Sequence, residues 1–504
     1  MKIDFCGAAG SVTGSCHALK INGKLVLLDC GLYQGKDEKD YGNETFSFNP
    51  KDVDYILISH AHIDHIGRIP LLYKQGFKGK IYCTEATRDL ARVMLIDSGH
   101  IQEQEVEWKN RKRQRQGLDP IEPLYTAKIA ELSSYLISGY PYDSIIEIFD
   151  GLKIRFRDAG HLLGSAIIEL FINENGNNIK LVYSGDLGNI NIPLLKDPAL
   201  IEDTDYLLME TTYGNRDHEK IQSQVFGLVD IIKSTMKKGG NVIIPSFAVG
   251  RTQEVLYELN NYIEDRVLKD IKVYVDSPLA DEATKIFEDY RKYYDEDALK
   301  ILQRGDDPLK FEGLKFTKSA EDSMKLNKIT TGAVIISASG MCDAGRIRHH
   351  LKHNLWRREC SIVFVGYQAE GTLGRALIDG ARKVKLFGEE IAVNAKIINL
   401  PGLSGHADRS GLLRWLHGFK EKPKKVILIH GDNEERESFK DLIMSEGYNV
   451  FCPKLGDTFD TNLPFGESKV KNEIYKILDS YNNIEGENKE EILAKIKQVL
   501  DKCQ

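Results

Sequence analysis

The strongest constraint in the sequence is a cluster of metal-ligand side chains that follows a strand-like segment near the N-terminus. Residues 54–59 read Asp-Tyr-Ile-Leu-Ile-Ser, and His60, His62, Asp64 and His65 come directly after them. These are four potential ligands in six positions, in a chain that has only 13 histidines among 504 residues. Imidazole and carboxylate ligands suit zinc first, and manganese or iron second. The cluster therefore predicts a metal site whose remaining ligands come from elsewhere in the chain.

Three further positions can supply those ligands. His161, Asp186 and His430 each follow a strand-like segment and have a glycine beside them, which lets the backbone approach an ion closely. One histidine at a strand end is usually a core or turn residue, but three such ends together with residues 60–65 indicate ligands. Asp29 ends another apolar segment. It is either a turn carboxylate or a hydrogen-bond acceptor for a ligand histidine, and we favour the second role.

With Asp29, these residues give the chain a resemblance to the metallo-β-lactamase fold. Later segments resemble its nucleic-acid-processing branch, the β-CASP family: Glu210 matches motif A, His406 matches motif B and His430 matches motif C. Further matches, in the family's order, lie at residues 245–251, 276–280, 339–342 and 366–372. The resemblance runs from about Met1 to about Pro464, and it is specific because unrelated chains would not carry these segments in this order.

The resemblance implies an α/β architecture, a metallo-β-lactamase αββα sandwich with an inserted β-CASP domain made of a parallel sheet with helices. The residue pattern agrees, because helical and strand-like segments alternate from about residue 211 as they do in βα units. We expect strand segments at 395–400 and 424–430 to return to the first domain. The predicted units are residues 1–209 and 384–465 for the metallo-β-lactamase domain, 210–383 for the β-CASP domain and 466–504 for a helical C-terminal tail.

The resemblance also implies a dinuclear site that holds two zinc ions, with manganese as the alternative metal. Asp186 is expected to bridge two sets of ligands: His60, His62 and His161 for one ion, and Asp64, His65 and His430 for the other. Two such ions acidify a water molecule that attacks the phosphorus of a phosphodiester. Asp64 is thus assigned to the catalytic group as well as to the ligands.

Glu210 and His406 are assigned to proton transfer by the same resemblance. His406, made more basic by Glu210, is expected to protonate the leaving oxygen. The other interpretation of Glu210 is a strand-end carboxylate that caps Thr211 or Thr212. The implied function is a zinc-dependent ribonuclease in RNA processing or decay, which leaves 5′-phosphate and 3′-hydroxyl ends. Endonucleolytic and 5′-exonucleolytic cleavage both stay open.

Two alternative functions compete with a ribonuclease. A DNA-processing nuclease shares the fold, but that branch typically has valine at the position of His430. A non-catalytic RNA-binding subunit typically loses metal ligands, whereas every expected ligand position is filled in this chain.

The predicted partner is RNA, in single-stranded form, although a net charge of −7 argues against a uniformly basic binding surface. We expect RNA phosphates to contact Arg251, Ser339, Gly340 and Arg346, while the roles of the neighbouring histidines stay open. The basic segment 109–115 lies beside three glutamates, and a solvated helix explains it at least as well as an RNA track does.

Composition places the protein in the cytoplasm. Eight cysteines form no C-x-x-C pair, which favours reduced thiols over disulfides or a zinc ribbon. No apolar segment approaches the roughly 20 residues that a membrane span requires, so no membrane partner is expected. The tail at 466–504 packs either on the body of the protein or on a second subunit, in a homodimer.

Overall fold

The computed structural model describes residues 1–174, 176–218, 221–366, 368, 370–400 and 405–461. The predicted helical tail at 466–504 lies outside the described residues, as do residues 367 and 369 and residues 403–404 of motif B. Within the described part of the chain, no helix is both long and apolar enough to cross a membrane.

The strands fall into three larger sheets and one hairpin. In chain order they are β1 (Lys2–Phe5), β2 (His17–Ile21), β3 (Lys24–Leu28), β4 (Tyr55–Leu57), β5 (Lys80–Thr84), β6 (Ile137–Tyr140), β7 (Ile145–Phe149), β8 (Leu152–Asp158), β9 (Ala166–Glu174), β10 (Asn177–Tyr183), β11 (Tyr206–Glu210), β12 (Val242–Pro245), β13 (Lys272–Asp276), β14 (Leu314–Phe316), β15 (Ala333–Ser337), β16 (Ser361–Phe364), β17 (Lys383–Leu386), β18 (Glu389–Ala392), β19 (Lys396–Asn399), β20 (Lys425–Ile429), β21 (Val450–Phe451) and β22 (Thr458–Asp460).

The helices flank these sheets. In chain order they are α1 (Gly35–Tyr41), α2 (Ile63–Ile66), α3 (Ile69–Lys74), α4 (Glu85–Arg115), α5 (Ala127–Ser134), α6 (Ile221–Lys237), α7 (Arg251–Glu264), α8 (Pro278–Asp289), α9 (Glu296–Gln303), α10 (Ala320–Leu326), α11 (Ile347–Asn354), α12 (Leu373–Ile378), α13 (Arg409–Leu416) and α14 (Asn433–Ser445), with 3₁₀ turns at Pro50–Asp52 and Arg291–Tyr293.

Two seven-stranded sheets form the predicted sandwich. Their orders are β22-β1-β2-β3-β4-β5-β6 and β21-β20-β11-β10-β9-β8-β7. One apolar core joins their facing sides, with Phe5 and Leu28 from the first sheet and Phe156 and Ile168 from the second. Each such side chain stabilises the fold by about 1.5–3 kcal/mol relative to exposure. Helices α4 and α5 cover the outer side of one sheet, and α13 and α14 cover the other, so the αββα prediction is confirmed.

The third sheet has the order β14-β13-β15-β12-β16-β19, and all of its described pairs are parallel. This confirms the predicted parallel sheet with helices. The prediction that residues 395–400 return to the first domain was wrong, because β19 pairs with β16 of the third sheet. The sequence pattern marked the strand correctly but carries no information about its partner. Residues 425–429 do return to the sandwich, where β20 pairs with β11.

Strand direction places the predicted ligands at one edge of the sandwich. Strands β10, β11 and β20 are adjacent and parallel, so Asp186 after β10, Glu210 at the end of β11 and His430 after β20 lie at the same edge. Strand β4 of the facing sheet ends just before His60. His430 and Asp29 both have positive φ, +46° and +58°. Non-glycine residues in this region are strained, and such strain is concentrated at functional sites.

Candidate metal centre

The first ligand set consists of His60, His62, His161 and Asp186. His62 Nδ1 lies 3.0 Å from His60 Nε2 and 3.2 Å from His161 Nε2. Asp186 Oδ2 lies 3.4 Å from His60 Nε2 and 3.7 Å from His161 Nε2. Donor atoms that surround one ion tetrahedrally at about 2.0–2.1 Å are about 3.3 Å apart, so this set has the right size for a metal ion.

The second ligand set consists of Asp64, His65 and His430. His65 Nε2 lies 3.1 Å from His430 Nε2, and Asp64 Oδ2 lies 3.8 and 3.7 Å from those two nitrogens. Helix α2 turns Asp64 and His65 away from the first set and toward this one. The six-residue cluster therefore serves both sets, with its first two ligands before the helix and its last two inside it.

Asp186 connects the two sets. Its Oδ2 lies 3.4 Å from His60 Nε2 in the first set and 3.3 Å from His65 Nε2 in the second. Its other oxygen, Oδ1, is buried and has no hydrogen-bond partner. A buried carboxylate oxygen without a partner is costly, and a bound cation would satisfy it. The donor set and this unsatisfied oxygen together show that the residues fit a metal centre.

Protonation of the first ligand set also suits a metal. Burial is the main cause that lowers the pKa of His60, His62 and His161, and it lowers that of His62 to about 4. Neutral imidazole is the form that binds metal ions. In contrast, Asp186, Asp64 and Asp29 outweigh the effect of burial on His65 and raise its pKa. Excess negative charge of this kind indicates a place for a cation.

Asp29 orients the second set from behind. Its Oδ2 lies 2.7 Å from His65 Nδ1, which leaves His65 Nε2 facing the ligand set. The same oxygen accepts hydrogen bonds from Ser59 Oγ at 2.7 Å and from the Tyr183 hydroxyl at 2.6 Å, and Oδ1 accepts from Ser59 N at 2.7 Å. Sequence reasoning missed Ser59 and Tyr183. Ser59 directly precedes the cluster, but no local signal distinguishes Tyr183 from a core tyrosine.

The predicted proton-transfer pair lies beside both sets. His406 Nδ1 is 3.3 Å from Glu210 Oε1 and 3.9 Å from Asp186 Oδ2. Burial opposes the charged form of His406, but the charge of Glu210 and the hydrogen bond to it outweigh this effect and raise the pKa of His406 to about 9. Glu210 is itself fixed, because it accepts hydrogen bonds from Leu187 N at 2.6 Å and Thr212 N at 3.2 Å. The two interpretations of Glu210 are therefore compatible.

The predicted RNA contacts occupy different environments. Arg251 forms an ion pair with the buried Glu254, and a Cβ placed on Gly405 would lie 3.5 Å from Arg251 Nη2. The arginine thus borders the turn that carries His406. Arg346 instead pairs with Asp276 Oδ1 at 2.8 Å and donates to Lys318 O at 2.9 Å. Internal partners hold its guanidinium.

Ser339 and Gly340 lie in a loop at the carboxyl end of β15. Ser339 contacts Ala344 O through both its backbone N and its hydroxyl, and Gly340 O accepts a hydrogen bond from Gln368 Nε2 at 3.0 Å. A Cβ on Gly340 would lie 3.0 Å from the ring of Phe247, which precedes Arg251 in the same loop. This loop and the Arg251 loop therefore pack against each other.

Comparison with known protein families agrees with this geometry. Residues 9–98 match the metallo-beta-lactamase superfamily, residues 252–377 match the Beta-Casp domain and residues 390–453 match the Zn-dependent metallo-hydrolase RNA specificity domain. A solved structure of a protein of unknown function from Enterococcus faecalis has a TM-score of 0.50 at 12% identity and covers 91% of this chain and 99% of its own. It shows the fold alone.

Curated relatives extend over most of the chain. Ribonuclease TTHA0252 of Thermus thermophilus is 36% identical over 457 residues, which are 91% of this chain and 99% of the relative. An RNase J-like protein of Methanocaldococcus jannaschii is 32% identical, with coverage of 87% and 94%. Transcription termination factor FttA of Methanosarcina mazei is 31% identical, with coverage of 86% and 67%.

Fold and ligand geometry together define a metal-dependent hydrolase of the metallo-β-lactamase superfamily. Within that superfamily, the chain belongs to the β-CASP family, because it carries the inserted domain and is 36% identical to a relative that it covers almost completely.

Proposed function

We propose that this protein is a dinuclear zinc-dependent ribonuclease that hydrolyses single-stranded RNA and leaves 5′-phosphate and 3′-hydroxyl ends. The observation that carries the proposal is the position of Asp186. One oxygen of this carboxylate, Oδ2, lies within 3.4 Å of a ligand nitrogen in each of two sets and 3.9 Å from His406 Nδ1. Such an arrangement supports a site in which two cations and a proton donor would act on one phosphate group.

We assign the ligands of the two ions as expected from the sequence. His60, His62 and His161 would hold one zinc ion, Asp64, His65 and His430 would hold the other, and Asp186 would bridge them. When bound, two divalent ions lower the pKa of a water molecule and neutralise the charge of a phosphate group. Asp29 keeps His65 in the tautomer that presents Nε2, since its carboxylate accepts a hydrogen bond from Nδ1–H.

His406 is the proton donor for the leaving oxygen in this proposal. Its Nδ1 faces Glu210, so the proton available for transfer is the one on Nε2. In the metal-free protein, the charge of Glu210 and the hydrogen bond to it outweigh burial and raise the pKa of His406 to about 9, which favours the protonated ring at neutral pH. The 3′-oxygen of the leaving nucleotide is strongly basic, and protonating it during bond cleavage typically contributes about 10²–10⁴ in rate. Glu210 stabilises the protonated ring and fixes its direction.

Arg251 is proposed to hold a phosphate next to the reacting one. Its guanidinium borders Gly405, where an added Cβ would lie 3.4 Å from His161 Cε1. The pair with Glu254 fixes the guanidinium in this place. Guanidinium donors recognise phosphate oxygens in a bidentate manner, which would fix the register of the RNA strand.

RNA is the favoured substrate for two reasons. The matching segment at 390–453 is described as an RNA specificity domain, and relatives over most of the chain are named ribonuclease and RNase J-like. His430 is also present, whereas DNA-processing members of the fold typically have valine there. These observations support a role in RNA processing or decay.

The direct test uses RNA labelled at either end and a DNA strand of the same sequence. We expect the purified zinc-loaded protein to cleave the RNA faster than the DNA and to release 5′-phosphate ends. Products that appear first as mononucleotides indicate 5′-exonucleolytic cleavage, and internal fragments indicate endonucleolytic cleavage. Equal or faster cleavage of DNA would refute the assignment to RNA.

A further inference from the structure

Helix α11 and the segment after it carry an unusual concentration of positive charge. Residues 345–358 contain Arg346, Arg348, Lys352, Arg357 and Arg358 and no acidic residue, in a chain whose net charge is −7. They also contain three histidines. A segment with this composition is expected to attract anions.

The helix places much of this charge on one outward face. Positions 348, 349, 352 and 353 follow the spacing i, i+1, i+4, i+5, which brings them to the same side of the helix. Ile347, Leu351 and Leu355 on the opposite side are buried in the core of the third sheet. Trp356 follows the last turn and remains 56% exposed, although large aromatic side chains are usually covered.

A hairpin from the neighbouring part of the chain adds a second aromatic ring. Strands β17 and β18 are joined by a two-residue turn, Phe387–Gly388, and Phe387 is 47% exposed. Its ring stacks on His349 with centroids 4.3 Å apart and planes 24° apart, and Arg348 Cζ lies 5.0 Å from its centroid. Stacked, exposed rings beside a guanidinium resemble a surface for nucleobases.

The backbone conformation at Phe387 is unfavourable for an aromatic residue, which indicates a binding role for its ring. Its φ is +52°, a left-handed conformation that favours asparagine or glycine in a two-residue hairpin turn. A bulky aromatic residue at such a position costs stability, and strain of this kind is typical of binding sites. Asparagine would suit the turn better but would remove the stack.

The cations on this face are only partly neutralised. Lys352 pairs with Glu389, but Arg348 has only a 3.4 Å contact to Asp343 O, and its buried Nε has no hydrogen-bond partner. Among the described residues, no carboxylate forms an ion pair with Arg348 or Arg358. Apart from a longer-range electrostatic interaction of Arg348 with Asp343, these charges are therefore available to a ligand.

The face adjoins the predicted path of RNA. The loop that leads into α11 contains Gly340, which packs on Phe247, and Phe247 lies in the loop that carries Arg251 to the metal centre. An RNA strand that leaves the metal centre along these loops reaches α11.

We propose that Arg348, His349, Lys352, Trp356 and Phe387 form a second binding site for single-stranded RNA, the α11 platform. A base extends the His349–Phe387 stack, another stacks on Trp356, and phosphates contact Arg348 and Lys352. The inference rests on the proposed ribonuclease function and specifies how a long substrate is held outside the metal centre. RNA is preferred to a protein partner because residues 345–358 carry five cationic side chains and no acidic residue, which complements a phosphate backbone.

The test compares Arg348→Gln and Phe387→Asn with the unaltered zinc-loaded enzyme on a long single-stranded RNA and on a dinucleotide. Each variant should raise KM for the long RNA about fivefold or more, the typical effect of losing one stacked base or its charge. The ratio of kcat/KM between long and short substrates should fall accordingly. Arg348→Gln should also reduce the slope of log KM against log salt concentration by about 0.7, whereas Phe387→Asn should leave the slope unchanged.

A matched control is available beside α4. Tyr135 is exposed, and Arg92 Cζ lies 5.3 Å from its ring centroid, so Tyr135→Ala with Arg92→Gln removes a similar aromatic and cationic pair at another place. This control should change KM for long RNA less than about twofold. If it raises KM as much as the platform variants, or if those variants leave KM unchanged on an enzyme that cleaves RNA, the platform is refuted and the ribonuclease function stands. An unaltered enzyme that cleaves no RNA would refute the function itself.

Discussion

Glu210→Gln tests how the structure controls proton donation by His406. The carboxylate of Glu210 outweighs burial and raises the pKa of His406 from its ordinary 6.5 to about 9. Glutamine keeps the shape of the side chain but removes the charge, so the pKa of His406 should return to about 6.5 or below. As the pH rises, His406 in this variant then loses its proton, and with it the ability to donate, at a lower pH than in the unaltered enzyme.

The size of the defect therefore depends on pH. With pKa values of about 9 and about 6.5, the protonated fraction at pH 8 falls from about 90% to about 3%, roughly a thirtyfold loss of rate. At pH 6 both forms are mostly protonated, and the loss is below about twofold. Bound divalent cations lower both pKa values together, which moves this window to lower pH without closing it. The informative assay is kcat for RNA cleavage between about pH 5.5 and 9.

The matched control is Glu169→Gln on β9. Glu169 is a buried carboxylate of the same sheet, paired with Arg155 and Lys180, and its side chain lies outside the metal centre. The Glu169→Gln variant shows how much stability a Glu→Gln substitution costs at a buried, paired position. The unfolding temperature measures this loss directly. A defect of Glu210→Gln that is the same at every pH would refute the proposed proton donation and leave Glu210 with a structural role.

Three further substitutions and treatments separate the parts of the site. His406→Ala should keep its zinc and lose about 10²–10⁴ in turnover of RNA, but much less on bis-p-nitrophenyl phosphate, whose leaving group needs little protonation; equal losses on both substrates would exclude His406 as the acid. Tyr183→Phe removes one hydrogen bond to Asp29 and should weaken zinc binding by about tenfold or more in competition with a chelator, and an unchanged affinity would contradict the positioning role. A chelator should also lower the unfolding temperature, because it exposes uncompensated buried carboxylates, and an unchanged temperature would show that no ion stabilises the fold.

The candidate ligands could be recognised in the sequence because their signal is local. His60, His62, Asp64 and His65 lie within six residues after a strand, and Asp186 and His430 follow two parallel strands that flank β11. Each position can be recognised from the few residues that surround it in the sequence. Parallel strands end at the same edge of a sheet, so the sheet brings these residues together. The alternation of strands and helices in the sequence also indicates such parallel strands.

Other features depend on packing between distant segments. Tyr183 ends an apolar strand and reads as a core residue, yet its hydroxyl reaches Asp29, 154 positions earlier in the other sheet. Arg346 looked available for phosphate, but Asp276, 70 positions away, holds it. Strand β19 has only four residues of mixed exposure, a pattern that fits either sheet. Sequence periodicity indicates which residues form such elements but not which partners they meet.

Metal reconstitution tests the dinuclear site most directly. The protein is freed of metal with a chelator and titrated with zinc while RNA cleavage is measured. Because Asp186 connects two complete ligand sets, we expect cleavage to rise until about two zinc ions are bound per chain, and Asp186→Asn to abolish this saturation. Full cleavage by the metal-free protein, or saturation after one ion, would contradict the dinuclear mechanism.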